Sequence, residues 1–233
     1  MVNEPPTHIT LYVRGALLDM DGVLVNSTAS DERCWLRWAR LHGMEGSFSL
    51  QATHGRRAVD TIRALRPDLD PYAELRRLED FDAEDPSGSS ALPGATALLA
   101  ALPASSWAIV TSAPARLAKT RLQCAGIRLP HHLVTADDVS RGKPDPEPYE
   151  RGAGKLGLEP SECLVIEDSP AGIQAGKAAG CKTLAVLSSH PIDALVAADW
   201  IVPSLDHVVA IPAQDGTLAI HCKSARRHRD RFA

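Results

Sequence analysis

No apolar stretch in this 233-residue chain approaches the roughly 20 residues needed to cross a bilayer, so a membrane is not an expected partner. An excess of positive charge is also missing. The 25 Lys and Arg face 29 Asp and Glu, for a formal net charge of −4, which gives no reason to expect nucleic acid. The only basic cluster, Lys223, Arg226, Arg227, Arg229 and Arg231 with His228 among them, reads as a solvated or frayed end. Paired cysteine spacing is absent as well. Cys34, Cys124, Cys163, Cys181 and Cys222 are odd in number and scattered, with no C-x-x-C, a pattern that fits reduced thiols in a cytoplasmic protein. Met1 to Thr10 carries neither the basic nor the apolar region of a secretory leader, and there is no internal repeat or low-complexity segment. The length suffices to bury a core without metal or disulfide staples.

What the chain does contain begins with an apolar run of strand character from Leu11 to Leu18, broken at Arg14-Gly15 and ending in Asp19-Met20-Asp21-Gly22. Helical spacing follows. Trp35, Trp38, Ala39 and His42 fall at i, i+3, i+4 and i+7, predicting a helix over 27–43 capped by Ser27 or Ser30, with both tryptophans in the core. A second helix is expected over 57–66, with Ala58, Ile62 and Leu65 on one face, stopped by Pro67. Asp70-Pro71 opens a third with Leu75 and Leu78 inward, and the polar stretch Asp80 to Ser90 reads as a helix end plus loop. From Leu92-Pro93-Gly94 onward strand and helix alternate. Strands are expected at 107–110, 133–135, 163–166, 183–187 and 200–202. Helices are expected at 95–102, after Pro114, and near 146–156, 170–179 and 191–198. Alternation of this kind builds an α/β fold, a Rossmann-like parallel sheet with helices on both faces. The helical block forms an inserted small cap, giving a core of 9–26 plus 93–233 and a cap of 27–92. Hinges near Asn26-Ser27 and Leu92-Pro93-Gly94 would let the cap move over the strand ends.

Four polar segments stand at strand ends. Asp19 and Asp21 put two carboxylates just beyond a strand, where ligands bind in open parallel sheets, although Asp and Gly also make ordinary turns. Thr111-Ser112 is either a helix cap ahead of Pro114 or a hydroxyl pair with free N–H groups suited to phosphate. In Arg141-Gly142-Lys143-Pro144-Asp145-Pro146 the prolines stiffen the loop and hold Lys143 in one place, as charge stabilisation in phosphoryl transfer requires; solvated lysine is the alternative. Glu167-Asp168-Ser169-Pro170 is either a cap or, with Asp19 and Asp21, one of two halves of a four-acid cluster that repels itself unless a cation sits among them. Hard oxygen ligands of this type favour Mg²⁺. Of the cap residues, His54, Gly55, Arg56 and Arg57 read as substrate contacts, since glycine permits a tight loop and arginine suits hydroxyl or phosphate recognition; a solvated surface is the competing reading. Asn26 and Ser27 are weaker candidates, and Gln174 and Lys177 read as helix surface.

The segments D-M-D-G, T-S, G-K-P and E-D-S-P-A-G, in this order and with a helical insertion after the first, resemble the haloacid dehalogenase superfamily of phosphatases over about Val13 to Val208. Within it the resemblance is to the helical-cap sugar-phosphatase subgroup, which includes 2-deoxyglucose-6-phosphate phosphatases, glycerol-3-phosphate phosphatases and β-phosphoglucomutase. The resemblance implies Asp19 as nucleophile and Asp21 as acid and base. It implies Thr111, Ser112 and Lys143 on the phosphoryl group, and Mg²⁺ on Asp19, Asp168 and the backbone carbonyl of Asp21 with Glu167 assisting. The expected function is Mg²⁺-dependent hydrolysis of a small sugar or polyol phosphate by a cytoplasmic monomer. A phosphomutase using the same machinery is the first alternative and a catalytically silent regulatory module the second.

Overall fold

The computed structural model describes residues 8–50, 53–84, 89–223 and 226–227. Strand β2 (Gly15–Leu18) lies inside a sheet whose other parallel members are β5 (Trp107–Val110), β6 (Leu133–Val134), β7 (Cys163–Glu167), β8 (Lys182–Val186) and β9 (Trp200–Val202), in the order β9-β8-β7-β2-β5-β6. A short β12 (Arg226–Arg227) pairs antiparallel with the β9 edge. Side chains alternate across a strand, and both faces here are covered. Ala16, Leu18, Ile109, Leu164 and Ile166 enter one apolar core, while Leu17, Ala108, Val110 and Val165 enter another with Tyr149 and Ala153. These faces are dressed by α4 (Ala95–Ala101), α5 (Ala115–Cys124), α6 (Glu147–Leu156) and α7 (Pro170–Ala178).

Register decides what happens at the strand ends. Leu18 pairs with Ile109 on one side and Ile166 on the other. The residues just after them, Asp19, Thr111, Glu167 and Asp168, therefore emerge at one edge of the sheet.

Between β2 and the rest of the sheet stand α1 (Thr28–Leu41), α2 (Ala58–Leu65) and α3 (Pro71–Glu84). They share an apolar cluster of Cys34, Trp35, Trp38, Ala39, Ile62 and Leu78, so both tryptophans are core, as their spacing predicts. Glu74 is a buried polar member of this block, accepting from Trp38 Nε1 at 2.8 Å and lying 2.8 Å from His42 Nε2. Asp70 caps α3 through the N–H of Tyr72 at 3.0 Å. The block enters and leaves through an antiparallel ribbon, β3 (Val25–Asn26) with β4 (Ser90–Ala91).

Two expectations change. The run from Leu11 to Leu18 is two strands in two sheets: β1 (Ile9–Val13) leaves the main sheet at Arg14, whose N–H bonds Glu162 O at 2.8 Å. β1 joins β10 (Val208–Pro212) and β11 (Leu218–Cys222) in an antiparallel sheet of order β1-β11-β10, a use for the C-terminal segment that the sequence alone did not suggest. The helix expected over 191–198 is only a single 3₁₀ turn, Ile192–Ala194. Helix α3 ends at Glu84, in keeping with the helix end expected at the start of 80–90, and 85–88 of the expected loop lie outside the described residues. Beyond Lys223 and the backbone of Arg226 and Arg227, the basic cluster also lies outside them, as do residues 1–7.

Candidate active site

At the centre of the strand-end edge is a buried ammonium. Lys143 Nζ, with its side chain fully enclosed, donates to Asp19 Oδ1 at 2.8 Å, Glu167 Oε1 at 2.7 Å and Val110 O at 3.1 Å. Solvated lysine is thereby ruled out. The carboxylates hold its proton more firmly than usual, despite burial that would favour the neutral amine.

Glu167 is buried and receives five donors: Lys143 and Tyr149 Oη on Oε1, and the N–H groups of Asp168 and Ser169 plus Ser169 Oγ on Oε2. Burial alone would raise its pKa, but these contacts outweigh it and hold the carboxyl below the usual glutamate range. Asp19 and Asp168 fare differently. Burial pushes Asp19 up to about 7 against the pull of Lys143, with Glu167 and Asp21 adding to the rise. Asp168 is driven well above its ordinary value by burial and by the charges of Glu167 and Asp19. The cluster thus gathers more negative charge than Lys143 neutralises. Asp19, Glu167 and Asp168 bring carboxylate oxygens within 4.8 Å of one another. Buried hard-oxygen donors with surplus charge fit a divalent cation.

Close approach explains the glycine of Asp19-Met20-Asp21-Gly22. Gly22 has φ +77°, and a Cβ there would stand 1.9 Å from Asp168 Oδ2. Ser189 Oγ donates to the same Oδ2, and Ser188 Oγ to Gly22 O.

Above this edge the helical block closes a cavity lined by Asp19, Asp21, Thr53, His54, Gly55, Arg56, Thr111, Ser112, Arg121 and Asp168, and by Asp31, Trp35, Leu75, Leu78, Glu79 and Asp82 from the three helices. Thr111 Oγ1 accepts from Ala113 N–H at 3.1 Å, which leaves its proton available to a ligand in the cavity. Ser112 Oγ is spent on Gly55 O at 2.9 Å, so it ties the 53–56 turn to the sheet edge. That turn lies so close that a Cβ on Gly55, φ +72°, would fall 2.2 Å from Ser169 Oγ. His54 meets His190 edge-on at 5.2 Å; among the described residues neither of its ring nitrogens has a hydrogen-bond partner, and Nε2 lies 3.6 Å from Glu32 Oε1.

One predicted contact goes elsewhere. Arg57 does not line the cavity; it is buried and pairs with Asp60 at 2.7 Å, while its remaining nitrogens donate to Val139 O at 2.7 Å and Ser140 O at 2.8 Å. Its role is to dock α2 on the β6–α6 connection. Ser27, expected as a cap, instead donates to Asp21 Oδ1 at 2.5 Å and makes no capping bond. Gln174 is exposed, and Lys177 pairs at the surface with Asp199 at 2.8 Å.

The sequence reading assigned no role to Tyr149, Ser188, Ser189, Arg121, Asp31 or Asp82. Tyr149 closes the G-K-P-D-P-E-P-Y run, and its position one turn into α6 was the available signal. The others depend on contacts between elements far apart in the chain.

The family model for haloacid dehalogenase-like hydrolases matches residues 13–180. The chain belongs to this family. Hexitol phosphatase A of Escherichia coli (strain K12) is 41% identical over 212 residues, covering 89% of this chain and 98% of that protein. Glycerol-1-phosphate phosphohydrolase 2 of Saccharomyces cerevisiae is 35% identical, covering 80% of each. Among solved structures, a hydrolase from Pseudomonas syringae superposes with a TM-score of 0.72 at 25% identity, over 82% of this chain and 94% of that one. All four polar segments fall within the matched residues.

Proposed function

We propose that this haloacid dehalogenase-like hydrolase is a Mg²⁺-dependent phosphomonoesterase that releases phosphate from a small sugar or polyol phosphate. The observation that carries the reading is the enclosed Lys143 ammonium bridging Asp19, which lines the cavity, and Glu167 behind it. The names of the relatives, a hexitol phosphatase and a glycerol-1-phosphate phosphohydrolase, support the substrate class. None of the five cysteines is disulfide-bonded, which fits a reducing, cytoplasmic setting.

The chemistry follows from the positions of two carboxylates. A carboxylate oxygen of Asp19 attacks phosphorus as the bond to the substrate oxygen breaks, and that oxygen takes the bonding pair and a proton from Asp21. Asp21, now ionised, removes a proton from water while the water oxygen attacks the aspartyl-phosphate. The bond to Asp19 then breaks, phosphate leaves, and Asp19 returns as a carboxylate. Lys143 and the Thr111 hydroxyl meet the charge on the phosphoryl oxygens. Asp19, Asp168 and the Asp21 carbonyl would hold Mg²⁺, with Glu167 contributing charge from behind its five donors. Bound there, Mg²⁺ supplies further neutralisation of the phosphoryl group. His54 and Arg56, which line the cavity, would receive the hydroxyls of the leaving group. Residues 27–92 would act as the closing cap over a core of 9–26 plus 93–233.

A release assay with p-nitrophenyl phosphate tests the reading. The wild-type protein is expected to turn over with Mg²⁺, stop in excess chelator and recover on Mg²⁺ addition. Asp19→Asn should be inactive with an unchanged far-UV circular dichroism spectrum. Unchanged turnover in that variant would sink the mechanism.

A further inference from the structure

Arg121, on α5 of the sheet-bearing core, has a side chain only 3% exposed and touches three carboxylates from three separate elements. Its Nη1 donates to Asp21 Oδ1 at 2.8 Å; its Nη2 donates to Asp31 Oδ1 of α1 at 2.5 Å and to Asp82 Oδ1 of α3 at 2.7 Å. One planar fork therefore joins the core, the inserted helices and a carboxylate of the strand-end cluster. Ser27, the first residue of the inserted block, also donates to Asp21 Oδ1, whereas the ties made by Arg57, Arg116 and Ser112 end on the Val139 and Ser140 carbonyls, on Glu79 and on Gly55 O.

We propose that Arg121 is a positioning residue that sets the Asp21 carboxylate for proton transfer, and does so only while Asp31 and Asp82 of the inserted helices are docked on it. The proposal rests on Asp21 being the proton donor of the preceding section. Arg121 and Ser27 both donate to Oδ1 of Asp21, at 2.8 and 2.5 Å. Two donors on one oxygen fix the rotation of the carboxyl group and leave Oδ2 to carry the proton toward the leaving group. Asp31 and Asp82 hold the far side of the guanidinium fork. With both removed, as when the helices swing away on the β3–β4 ribbon, Nη2 loses both of its carboxylates and the guanidinium keeps only Asp21 to orient its plane. Arginine suits the task, since its donors are rigidly forked and its charge is permanent.

Leaving-group chemistry separates positioning from general support. An alkyl phosphate such as glycerol 3-phosphate expels an alkoxide that needs Asp21's proton, whereas p-nitrophenolate leaves without one. In Arg121→Gln we expect alkyl phosphate turnover to fall about a hundredfold or more, the range of general acid catalysis. The single-turnover release of p-nitrophenolate should fall by less than about tenfold. Equal losses on both substrates would overturn the proposal, because a purely structural arginine damages both steps alike. Asp21→Asn, measured beside it, tests the underlying assignment: without a selective loss there, Asp21 is not the donor. A selective loss in Asp21→Asn with none in Arg121→Gln defeats only the positioning role. Should Arg121→Gln fail to fold, Asp31→Asn with Asp82→Asn keeps the guanidinium and its contact with Asp21. The same selective loss is expected there, and equal losses on both substrates would again overturn the proposal.

Discussion

Lys143 shows how much one side chain decides. A buried ammonium is costly unless paired and hydrogen-bonded, and here it sits between Asp19 and Glu167 with a backbone carbonyl as third acceptor. Replacing it by methionine leaves two enclosed carboxylates without a cation. Lys143→Met is expected to cost about 3–5 kcal/mol, the range for breaking a buried pair from one side. A lowered urea midpoint checks the stability loss, and phosphate release should vanish together with it. The residue was legible in the sequence because alternating prolines, Pro144, Pro146 and Pro148, follow it; its partners were not, since Glu167 reads equally well as a cap or a ligand. Only the five donors around Glu167 show that its main work is to anchor this centre.

Elements settle where those residues meet. β2, β5 and β7 end level because Leu18 pairs with both Ile109 and Ile166, and a one-residue slip would turn each inward face outward. The inserted helices are held to that edge by Arg57, which gives α2 two bonds to the carbonyls of Val139 and Ser140. Arg57→Ala should destabilise this docking by about 1.5–3 kcal/mol, the range for hydrogen bonds to charged groups. Chemical denaturation followed by the fluorescence of Trp35 and Trp38, both packed within the helical block, measures it. Arg57, two residues after Gly55, reads from sequence as a substrate contact. Its neighbour Arg56 does line the cavity, and nothing in residue type or spacing tells the two apart, because that depends on which carbonyls α2 meets across the interface.

At the scale of the whole molecule, acid stability follows from carboxylates held below their ordinary values away from the strand-end cluster. Glu147 lies at about 2 because the N–H groups of Ser140 and Arg141 bond it. Burial would raise Glu74, but contacts with His42 and Trp38 outweigh it and lower the pKa. Asp199 is likewise lowered, against burial, by Lys177 and Thr183. A depressed folded-state pKa favours the native state above the unfolded value, and that advantage fades as protons are taken up. Stability should therefore fall from about pH 4.5 toward pH 2, where Glu147 titrates, while above that window the raised carboxyls of Asp19 and Asp168 act in the opposite sense. Thermal melts across that range check it. A melting temperature that stays level or rises on acidification would contradict the assignment.

The alternation of strand and helix, the inserted helical block and the four polar segments are properties of the chain's local pattern, and the sequence by itself determined them. Apolar periods and punctuation by Pro and Gly act within a few residues, so they can be read one segment at a time. What only the tertiary structure decided are the contacts between distant segments. Arg121 meets Asp21, Asp31 and Asp82 from 100, 90 and 39 residues away. The split of the first apolar run into two sheets depends on β11, more than two hundred residues downstream of β1. Such contacts are chosen by packing and by the need to pair every buried charge, and neither has a local signature.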